Sequence, residues 1–345
     1  MGDSDTIRIG VVGLGGICRS RHVPGFRKVP GVEVVAVSNR TLKSSESAAA
    51  ELRIPHAVES WQELVKRDDV DLVVVGTWPY LHKAVTLAAL DAGKHVFCQA
   101  RMAMDAAEAQ VMYDAARRSN RVTGLCPVPF GLKYDRALAR LLREGALGDI
   151  RLVRVQSFAN AYASADAPMN WRKDHRLSGR NMHTLGMYIE VMHRWFGWTR
   201  EIAAYTNVFV PRRMDAAGES VAVHIPDQVL ATSIVGAGIP VQYTVNAAVH
   251  KGEDRIEIYG SLGTIRYDVL PDMMYFATDE KDFAPVELHT GEFYDVKDWA
   301  VESDFIAAIR DGADYHPDFF DGLKYMQVIE AIYASAVEDR VVAID

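Results

Sequence analysis

A glycine-rich turn near the amino terminus is the first segment whose residues could do chemistry. Gly13, Gly15 and Gly16 directly follow a short β-rich run, Ile7 to Val12, and Ile17 follows them at the start of a helical stretch. Glycines between a strand and a helix let the backbone approach a pyrophosphate, which the free N–H groups of the helix start then bind. The segment predicts a dinucleotide site, and the alternative is a glycine turn without a ligand.

The end of the second β-rich run carries residues that could select the dinucleotide. It reads Ser38, Asn39, Arg40 and Thr41. NAD-binding proteins usually place a carboxylate here, which accepts a hydrogen bond from the ribose 2′-hydroxyl. Asn39 removes that charge, and the hydroxyls, amide and guanidinium could bind a 2′-phosphate instead. The sequence therefore favours NADP(H). The alternative is NAD(H), with Arg40 as a surface arginine.

The elements around these residues alternate between β-rich runs and helical stretches over the first 126 residues. Such apolar runs are typical of a parallel sheet covered on both faces, and the alternation implies right-handed crossovers. Ser60 with Glu63, and Asp105 with Glu108, fit helix-capping patterns. The segment predicts a Rossmann-type, doubly wound parallel sheet. The runs are Ile7 to Val12, Val32 to Val37, Asp71 to Val75, His95 to Cys98 and Val122 to Leu125.

The pattern of apolar and polar residues changes after about Pro127. Longer runs with alternating polarity follow, for example Arg151 to Phe158 and Val229 to Val235. With helices expected at about 181–196, 299–310 and 322–337, this pattern predicts an α+β domain with a large, mostly antiparallel open sheet. At 345 residues the chain is long enough for two cores. We expect an NAD(P)-binding domain at 1–127 and a substrate-binding and oligomerisation domain at 128–345.

Composition excludes several classes of partner and site. A formal net charge of −8 argues against general binding of nucleic acid. Three cysteines, far apart and odd in number, predict neither a disulfide framework nor a metal site. No apolar run reaches the roughly 20 residues that span a membrane, and no basic-then-apolar leader precedes the first strand. These features lead us to expect a cytoplasmic protein.

Several stretches of the chain match one known family in order and spacing. They are the Gly13 loop, 77–82, 92–98, Trp171-Arg172, 260–264 and the tail from Asp321 to Ala336. By these stretches the chain resembles the Gfo/Idh/MocA oxidoreductases, which include glucose–fructose oxidoreductase and inositol dehydrogenase. The resemblance implies hydride transfer between a nicotinamide and a secondary alcohol of a sugar or cyclitol. It also implies that the turn of Thr77, Trp78, Pro79 and His82 lines the nicotinamide, and that the protein is a dimer or tetramer.

The family pattern breaks after the fifth predicted strand. Relatives read Glu-Lys-Pro there, and the lysine contacts the nicotinamide ribose and the reacting oxygen. This chain reads Gln99, Ala100 and Arg101. Alanine carries neither a proton nor a charge, so Gln99 and Arg101 are the remaining cofactor-site candidates. Arg101 stays protonated and could stabilise an alkoxide without acting as a base.

A second break falls in the helix after Gly179. The family's Asp, His and Asp correspond to Thr184, Tyr188 and Val191. Tyrosine stands at the histidine position in some relatives, so Tyr188 is the best acid/base candidate. A nearby cation such as Arg101, or the nicotinamide ring, would have to lower its usual pKa of about 10. On a helix, Asn181, Thr184 and Tyr188 share one face, and the first two could orient a substrate hydroxyl.

A polar loop and one histidine complete the candidates. The resemblance places the loop from Trp171 to Arg176 toward the substrate. Trp171 could lie against a sugar face, and Arg172, Lys173 or His175 could bind hydroxyls or a carboxylate. The alternative is a solvated charged loop. His183 could relay a proton, and the alternative is a hydrogen-bonded structural histidine.

These observations support three hypotheses for function. The leading one is an NADP(H)-dependent oxidoreductase for a sugar, sugar acid or cyclitol, in which Tyr188 exchanges the hydroxyl proton and Arg101 polarises the oxygen. The second is a glycoside lyase or hydrolase that works through transient oxidation of the sugar. The third is a non-catalytic dinucleotide-binding sensor, which the joint loss of the family's lysine, histidine and aspartates would explain.

Overall fold

A computed structural model describes residues 6–126, 132–292 and 300–344 and divides the chain into two compact units. The first unit is Met1–Pro127 with Ala300–Leu323, and the second is Val128–Trp299 with Lys324–Asp345. The expected boundary between residues 127 and 128 lies outside the described residues. One boundary does not divide the chain into these units, because Ala300–Leu323 belongs to the first unit.

The first unit is built on a six-stranded sheet in which every pair of neighbours is parallel. Its order is β3-β2-β1-β4-β5-β6, so the direction of winding reverses between β1 and β4. All four residues of β4 are buried, as a strand covered on both faces requires. The predicted doubly wound sheet is confirmed. The strands are β1 Ile7–Val12, β2 Val32–Ser38, β3 His56–Ala57, β4 Leu72–Val75, β5 His95–Cys98 and β6 Thr123–Leu125.

Helices connect these strands, and three of them start at a side chain that caps the first turn. The side chain of Ser60 accepts the N–H of Glu63, and that of Asp105 accepts the N–H of Glu108. These bonds satisfy donors that the first helical turn leaves free. The helices are a π-helical turn Cys18–His22, α1 Val23–Arg27, α2 Leu42–Leu52, α3 Trp61–Val65, a 3₁₀ turn Pro79–Leu81, α4 His82–Asp91 and α5 Ala106–Arg118.

The second unit is built on a nine-stranded sheet of order β16-β15-β14-β13-β7-β12-β11-β8-β17. Its pairs are antiparallel except for β7 with β12, which run parallel. The mostly antiparallel sheet predicted from sequence is confirmed. The strands are β7 Ile150–Phe158, β8 Thr199–Asn207, β9 Arg212–Met214, β10 Ser220–Ala222, β11 Gln228–Val235, β12 Ile239–Asn246, β13 Arg255–Gly260, β14 Thr264–Asp268, β15 Met273–Thr278, β16 Lys281–Pro285 and β17 Val342–Ala343, with β9 and β10 in a separate pair.

One face of the large sheet is buried and the other is more open. Val153 and Val155 of β7 are buried, whereas Arg154 between them is exposed. The buried face packs against α8, Leu185–Phe196. This helix begins at Leu185 rather than near residue 181, and the reason lies in the turn described below. The other helices of the unit are α6 Asp135–Arg143 and α7 His175–Ser178.

Two helices precede β17. Helix α9, Val301–Asp311, belongs to the first unit, and α10, Phe319–Glu338, begins in the first unit and ends in the second. Both were predicted from sequence, although residue 299 of the expected 299–310 helix lies outside the described residues. Among residues 6–126, 132–292 and 300–344, no helix combines the length and apolar character needed to cross a membrane.

Candidate functional site

The glycine loop has the geometry that a pyrophosphate requires. Gly13 has a φ of +82°, and a Cβ there would lie 2.8 Å from the backbone nitrogen of Thr77, so only glycine fits. Helical residues begin at Gly16, where an added Cβ would meet nothing within 4 Å. The N–H groups of Gly16 and Ile17 belong to the first helical turn, which has no intrahelical acceptor for them. The loop therefore offers backbone donors beside open space, and it fits the diphosphate of a dinucleotide.

Asn39 holds this loop in place. Its Oδ1 accepts the N–H of Leu14 at 2.7 Å, and its Nδ2 donates to the Ser44 carbonyl at 3.1 Å. The side chain thus fastens the glycine loop to the start of α2. Ser38 beside it is only 2% exposed. The sequence pattern predicted both residues as ligands of a 2′-phosphate and gave no sign of this internal bonding.

Arg40 and Trp78 come together in the structure. The guanidinium carbon of Arg40, which is exposed, lies 5.1 Å from the centroid of the Trp78 ring. Such cation–π contacts orient an arginine without neutralising its charge. Thr41 caps α2, since its hydroxyl accepts the N–H of Ser44 at 3.2 Å. Two segments that were predicted separately as cofactor sites are therefore adjacent.

His82 ties two loops of the first unit to each other. Its ring is completely buried; Nδ1 lies 2.9 Å from the Arg101 carbonyl oxygen, and Nε2 lies 3.0 Å from that of Thr77. Burial lowers the pKa of this histidine. With both nitrogens engaged, His82 positions the turn that contains Trp78 and Pro79, and it offers no ring nitrogen to a ligand.

Gln99 stands at the end of β5 on a buried polar chain that the sequence did not reveal. Its amide contacts Nε2 of His22, and Nδ1 of His22 lies 2.5 Å from Oε1 of Glu302. Both partners are buried. The peptide bond between Ala100 and Arg101 is cis, and Arg101 is half-buried. No spacing in the sequence links residue 22 with residue 302, so only the fold could show this arrangement.

In the second unit, Tyr188 lies in a cluster of hydroxyl groups around one carboxylate. Its hydroxyl donates to Oδ2 of Asp254 at 2.7 Å. The Ser157 hydroxyl donates to the same oxygen at 3.0 Å and lies 2.8 Å from Oγ1 of Thr184. We call these four residues the Tyr188–Asp254 cluster. Asp254 and Ser157 were not predicted, because an aspartate that precedes a strand and a serine within one are ordinary features of a sequence.

The surroundings of Tyr188 reverse one expectation. The side chain is only 1% exposed, and burial together with the charge of Asp254 raises its pKa. A cation such as Arg101, or the nicotinamide ring, was expected to lower that pKa. The expectation was wrong because the closest charge is a carboxylate, which disfavours a phenolate. Tyr188 is therefore a neutral hydroxyl that donates to Asp254.

Asn181 does not share a helix with Tyr188. Its Oδ1 accepts the N–H of His183 at 2.8 Å, and its Nδ2 donates to the Arg172 carbonyl at 3.2 Å. A side chain that bonds the backbone two residues later favours a turn over a helix, and His183 indeed has a φ of +54°. The predicted helical face therefore reduces to Thr184 and Tyr188. Asn181 is buried and shapes the turn before α8.

The polar loop after Trp171 splits into buried and exposed members. Lys173 is completely buried; its ammonium donates to the carbonyls of Ile225 and Pro226 at 3.0 and 3.2 Å and to the carboxylate of Asp227. Burial lowers its pKa. Lys173 was predicted to bind substrate, but its charge points into the protein and fastens the loop.

The other predicted substrate contacts of the loop keep accessible surface. The guanidinium carbon of Arg172 lies 4.4 Å from the centroid of the half-buried Trp171 ring, and His175 is exposed beside His224, with 4.7 Å between the ring centroids. His183 contacts the segment that Lys173 binds, since its Nε2 lies 2.8 Å from the Pro226 carbonyl oxygen. Its predicted part as a proton relay stays a prediction.

Family models match most of the chain. Residues 7–125 match an oxidoreductase family with an NAD-binding Rossmann fold, and residues 136–266 match the GFO/IDH/MocA C-terminal domain. Among curated relatives, levoglucosan dehydrogenase of Pseudarthrobacter phenanthrenivorans is 24% identical over 96% of this chain and 97% of its own. Inositol 2-dehydrogenase of Gluconacetobacter diazotrophicus is 26% identical over 99% and 97%.

Solved structures show the same fold. Levoglucosan dehydrogenase in complex with NADH and L-sorbose aligns with a TM-score of 0.88 at 21% identity over 99% of both chains. Aldose–aldose oxidoreductase from Caulobacter crescentus, complexed with glycerol, aligns with a TM-score of 0.83 at 22% identity over 98% of this chain and 100% of the other. The expected fold class, family and NAD(P)-dependent oxidoreductase class are confirmed. The chain belongs to the Gfo/Idh/MocA family of oxidoreductases, which has an NAD-binding fold and includes sugar and cyclitol dehydrogenases.

Proposed function

We propose that the chain is an NADP(H)-dependent oxidoreductase that acts on a secondary alcohol or ketone of a sugar, sugar acid or cyclitol. The observation that carries the proposal is the glycine loop, whose first helical turn offers the N–H groups of Gly16 and Ile17 beside open space. The names of the relatives, which include levoglucosan and inositol dehydrogenases, support the substrate class.

The preference for NADP(H) rests on the charge at the end of β2. Asn39 is an amide, and it bonds to groups inside the protein. No carboxylate therefore stands at the position where NAD-binding proteins accept a hydrogen bond from the ribose 2′-hydroxyl. Arg40 is exposed and lies over Trp78. A guanidinium in that place attracts a 2′-phosphate. We propose Arg40 as the selecting residue, with Thr41 beside it.

When bound, the nicotinamide supplies the two-electron chemistry of the reaction. The chain's own residues must transfer the proton, and we propose that Tyr188 exchanges it with the substrate oxygen. Arg101 is the proposed cation for a developing oxyanion, because a guanidinium stays charged at neutral pH. Trp171, Arg172 and His175 are the proposed substrate contacts, while Lys173 and Asn181 hold their loop in shape.

Fluorescence titration with NADPH and NADH tests the cofactor half of the proposal. We expect NADPH to bind at least about tenfold more tightly, which corresponds to about 1.4 kcal/mol. Arg40→Gln should abolish that difference and leave NADH affinity unchanged. Arg118→Gln is the matched control, since Arg118 is an exposed arginine of the same unit, on α5. Tighter binding of NADH would contradict the NADP preference, and no binding of either nucleotide at millimolar concentration would contradict the whole proposal.

One observation favours a second candidate, a dinucleotide-binding sensor without turnover. Ala100 stands at the family's lysine position, and the hydroxyl of Tyr188 is buried and bonded to Asp254. A panel of sugars, sugar acids and cyclitols, assayed in both directions by NADPH absorbance, separates the candidates. Turnover of any of them supports the enzyme, and tight binding without turnover supports the sensor.

A further inference from the structure

Asp254 is the one ionisable side chain in the Tyr188–Asp254 cluster whose part in the proposed reaction is still open. Its Oδ2 accepts two hydroxyl hydrogen bonds, from Tyr188 at 2.7 Å and from Ser157 at 3.0 Å. Its Oδ1 accepts the backbone N–H of Phe158 at 3.0 Å. The carboxylate is therefore held in one orientation, with Oδ2 directed at the phenol.

The two partners differ in their access to water. Tyr188 is 1% exposed, whereas Asp254 is half-buried at the start of β13. The charged groups on either side of Asp254 along the strands pair with one another, since Arg255 lies 2.6 Å from Asp268 and 3.3 Å from Glu253. Of these two partners, Asp254 is thus the one that keeps accessible surface.

The environment limits what Tyr188 can do by itself. Burial and the neighbouring carboxylate raise the pKa of Tyr188, so a phenolate is strongly disfavoured there. A hydroxyl that donates one hydrogen bond still has lone pairs with which to accept another. Tyr188 can consequently accept a proton only if it gives its own away in the same event, and Asp254 Oδ2 is the acceptor already in contact.

We propose that Asp254 is the terminal acceptor and donor of the reaction's proton, which it exchanges with the substrate through Tyr188. This inference rests on the proposed function. In the oxidation direction, the substrate O–H bond breaks and its proton goes to Tyr188 Oη, while the Tyr188 proton goes to Asp254 Oδ2. The electron pair of the breaking C–H bond leaves as hydride to the oxidised dinucleotide, and the C–O bond becomes a carbonyl.

The same sequence of transfers accounts for every charge. Asp254 loses its negative charge, a bound oxidised dinucleotide would lose its positive charge, and Tyr188 is neutral before and after. The half-buried acid then returns its proton to water. Reduction is the reverse, with Asp254 starting protonated. Asp254 does not touch the substrate, so it is a positioning residue for the proton, and Ser157 with Thr184 keeps the carboxylate aligned.

Asp254→Asn tests the inference because the amide keeps the shape of the carboxylate and cannot take up the proton. We expect kcat for oxidation near neutral pH to fall about 100-fold or more, with little change in KM or in dinucleotide affinity. The remaining rate should rise in proportion to hydroxide, because Tyr188 must then ionise. Asp254→Glu should restore part of the rate and the original pH profile.

A second Tyr–Asp pair of the same unit provides the matched control. The hydroxyl of Tyr267 donates to the carboxylate of Asp272, and Tyr267 is also buried. Asp272→Asn should change neither the pH profile nor the split between kcat and KM. If Asp254→Asn behaves like Asp272→Asn, the pair is purely structural and the inference is overturned.

Two further measurements keep the test independent of folding and of substrate choice. Ultraviolet titration of the protein without nucleotide, read as the difference from Tyr188→Phe, should show Tyr188 ionising at lower pH once Asp254 is Asn. If Asp254→Asn does not fold, Ser157→Ala keeps the carboxylate and should lower kcat without altering KM; an unchanged kcat contradicts the inference. Absence of turnover by the unmodified enzyme contradicts the proposed function, and the inference with it. Turnover that survives Asp254→Asn with its pH profile intact contradicts the inference alone.

Discussion

At the scale of single residues, several side chains whose types suggested ligand binding form hydrogen bonds inside the protein instead. His82, Lys173 and Asn181 each satisfy backbone carbonyl or N–H groups of neighbouring loops. Buried polar side chains in such positions hold a loop in one conformation, because each unmade hydrogen bond would cost free energy. A candidate ligand residue can thus be needed for a site without touching the ligand.

His82 gives a prediction at this scale. His82→Phe keeps a ring of similar size but removes both ring nitrogens, which lie 2.9 to 3.2 Å from the carbonyl oxygens of Arg101, Met102 and Thr77. The carbonyl that accepts the ring N–H then loses its donor. The free energy of unfolding should fall by about 2 kcal/mol, as expected for buried polar groups that lose a partner. Urea unfolding measures this loss. His56→Phe, at an exposed histidine of the same unit, should change it by less than about 0.5 kcal/mol.

At the scale of elements, the loop that follows Trp171 depends on a buried ion pair. The ammonium of Lys173 reaches the 225–227 segment, and Asp227 Oδ2 accepts the N–H of Phe209 at 2.8 Å. One lysine therefore connects the loop to the entry of β11 and, through Asp227, to the stretch after β8. We expect the loop to hold Trp171 and Arg172 in place only while the Lys173–Asp227 ion pair is intact.

Lys173→Met should destabilise the protein by about 3–5 kcal/mol, because it leaves the carboxylate of Asp227 buried without its cation. Asp227→Asn in the same chain should recover part of that loss, since the buried charge is then gone. Thermal unfolding of both single variants and the double variant gives the coupling energy. An additive result would show that the pair does not act as a unit, and Lys66→Met serves as the exposed control.

The elements were the most predictable part of the molecule, and the particular residues show why. The apolar runs of β1, β4 and β5 and the caps at Ser60 and Asp105 depend on local sequence, and all of them form as expected. Helix α8 begins later than predicted because the Asn181 side chain bonds the backbone of the preceding turn. A helical period does not register such competition.

The candidate site was only partly predictable, because its unexpected members come from distant parts of the chain. The glycine loop, Arg40, Trp78 and Tyr188 follow from motifs and spacing. Asp254 lies 66 positions from Tyr188, and Glu302 lies 280 positions from His22. Covarying positions do not show in a single sequence, which therefore carries no signal for such pairs.

At the scale of the whole molecule, the chain returns to its first unit after leaving it. Phe305 and Tyr315 pack on Phe97 with ring centroids 5.1 and 6.4 Å apart, and the Tyr315 hydroxyl donates to the Leu125 carbonyl at 2.8 Å. Residues 300–323 thus complete the core that underlies β5 and β6. We expect a fragment that ends near residue 126 to lack this cover and to lose stability.

The pH dependence of stability is a property of the whole molecule, and one buried and one half-buried histidine set its direction below neutrality. Burial lowers the pKa of His193 to about 3 and that of His95 to about 4. The Thr199 N–H donates to Nε2 of His193 at 3.2 Å, and a protonated ring would lose this bond. His316 has the opposite sign, since Asp321 raises its pKa and its contribution is lost as pH rises through the folded value.

For His193 and His95 the unfolded chain takes up protons at about pH 6.5, where the folded protein does not. Stability should therefore fall as pH drops from about 6.5 toward 4, by up to about 1.4 kcal/mol per pH unit for each histidine. Urea unfolding at pH 7.5, 6.5, 5.5 and 4.5, values chosen to bracket roughly that window, measures the slope. His193→Gln, whose side-chain oxygen can accept the Thr199 N–H, should reduce the slope of unfolding free energy against pH by the contribution of about one histidine. His250→Gln, at an exposed histidine, should leave the slope unchanged. An unaltered slope in His193→Gln would mean that His193 is protonated in the folded protein, and its buried bond to Thr199 would then need another description.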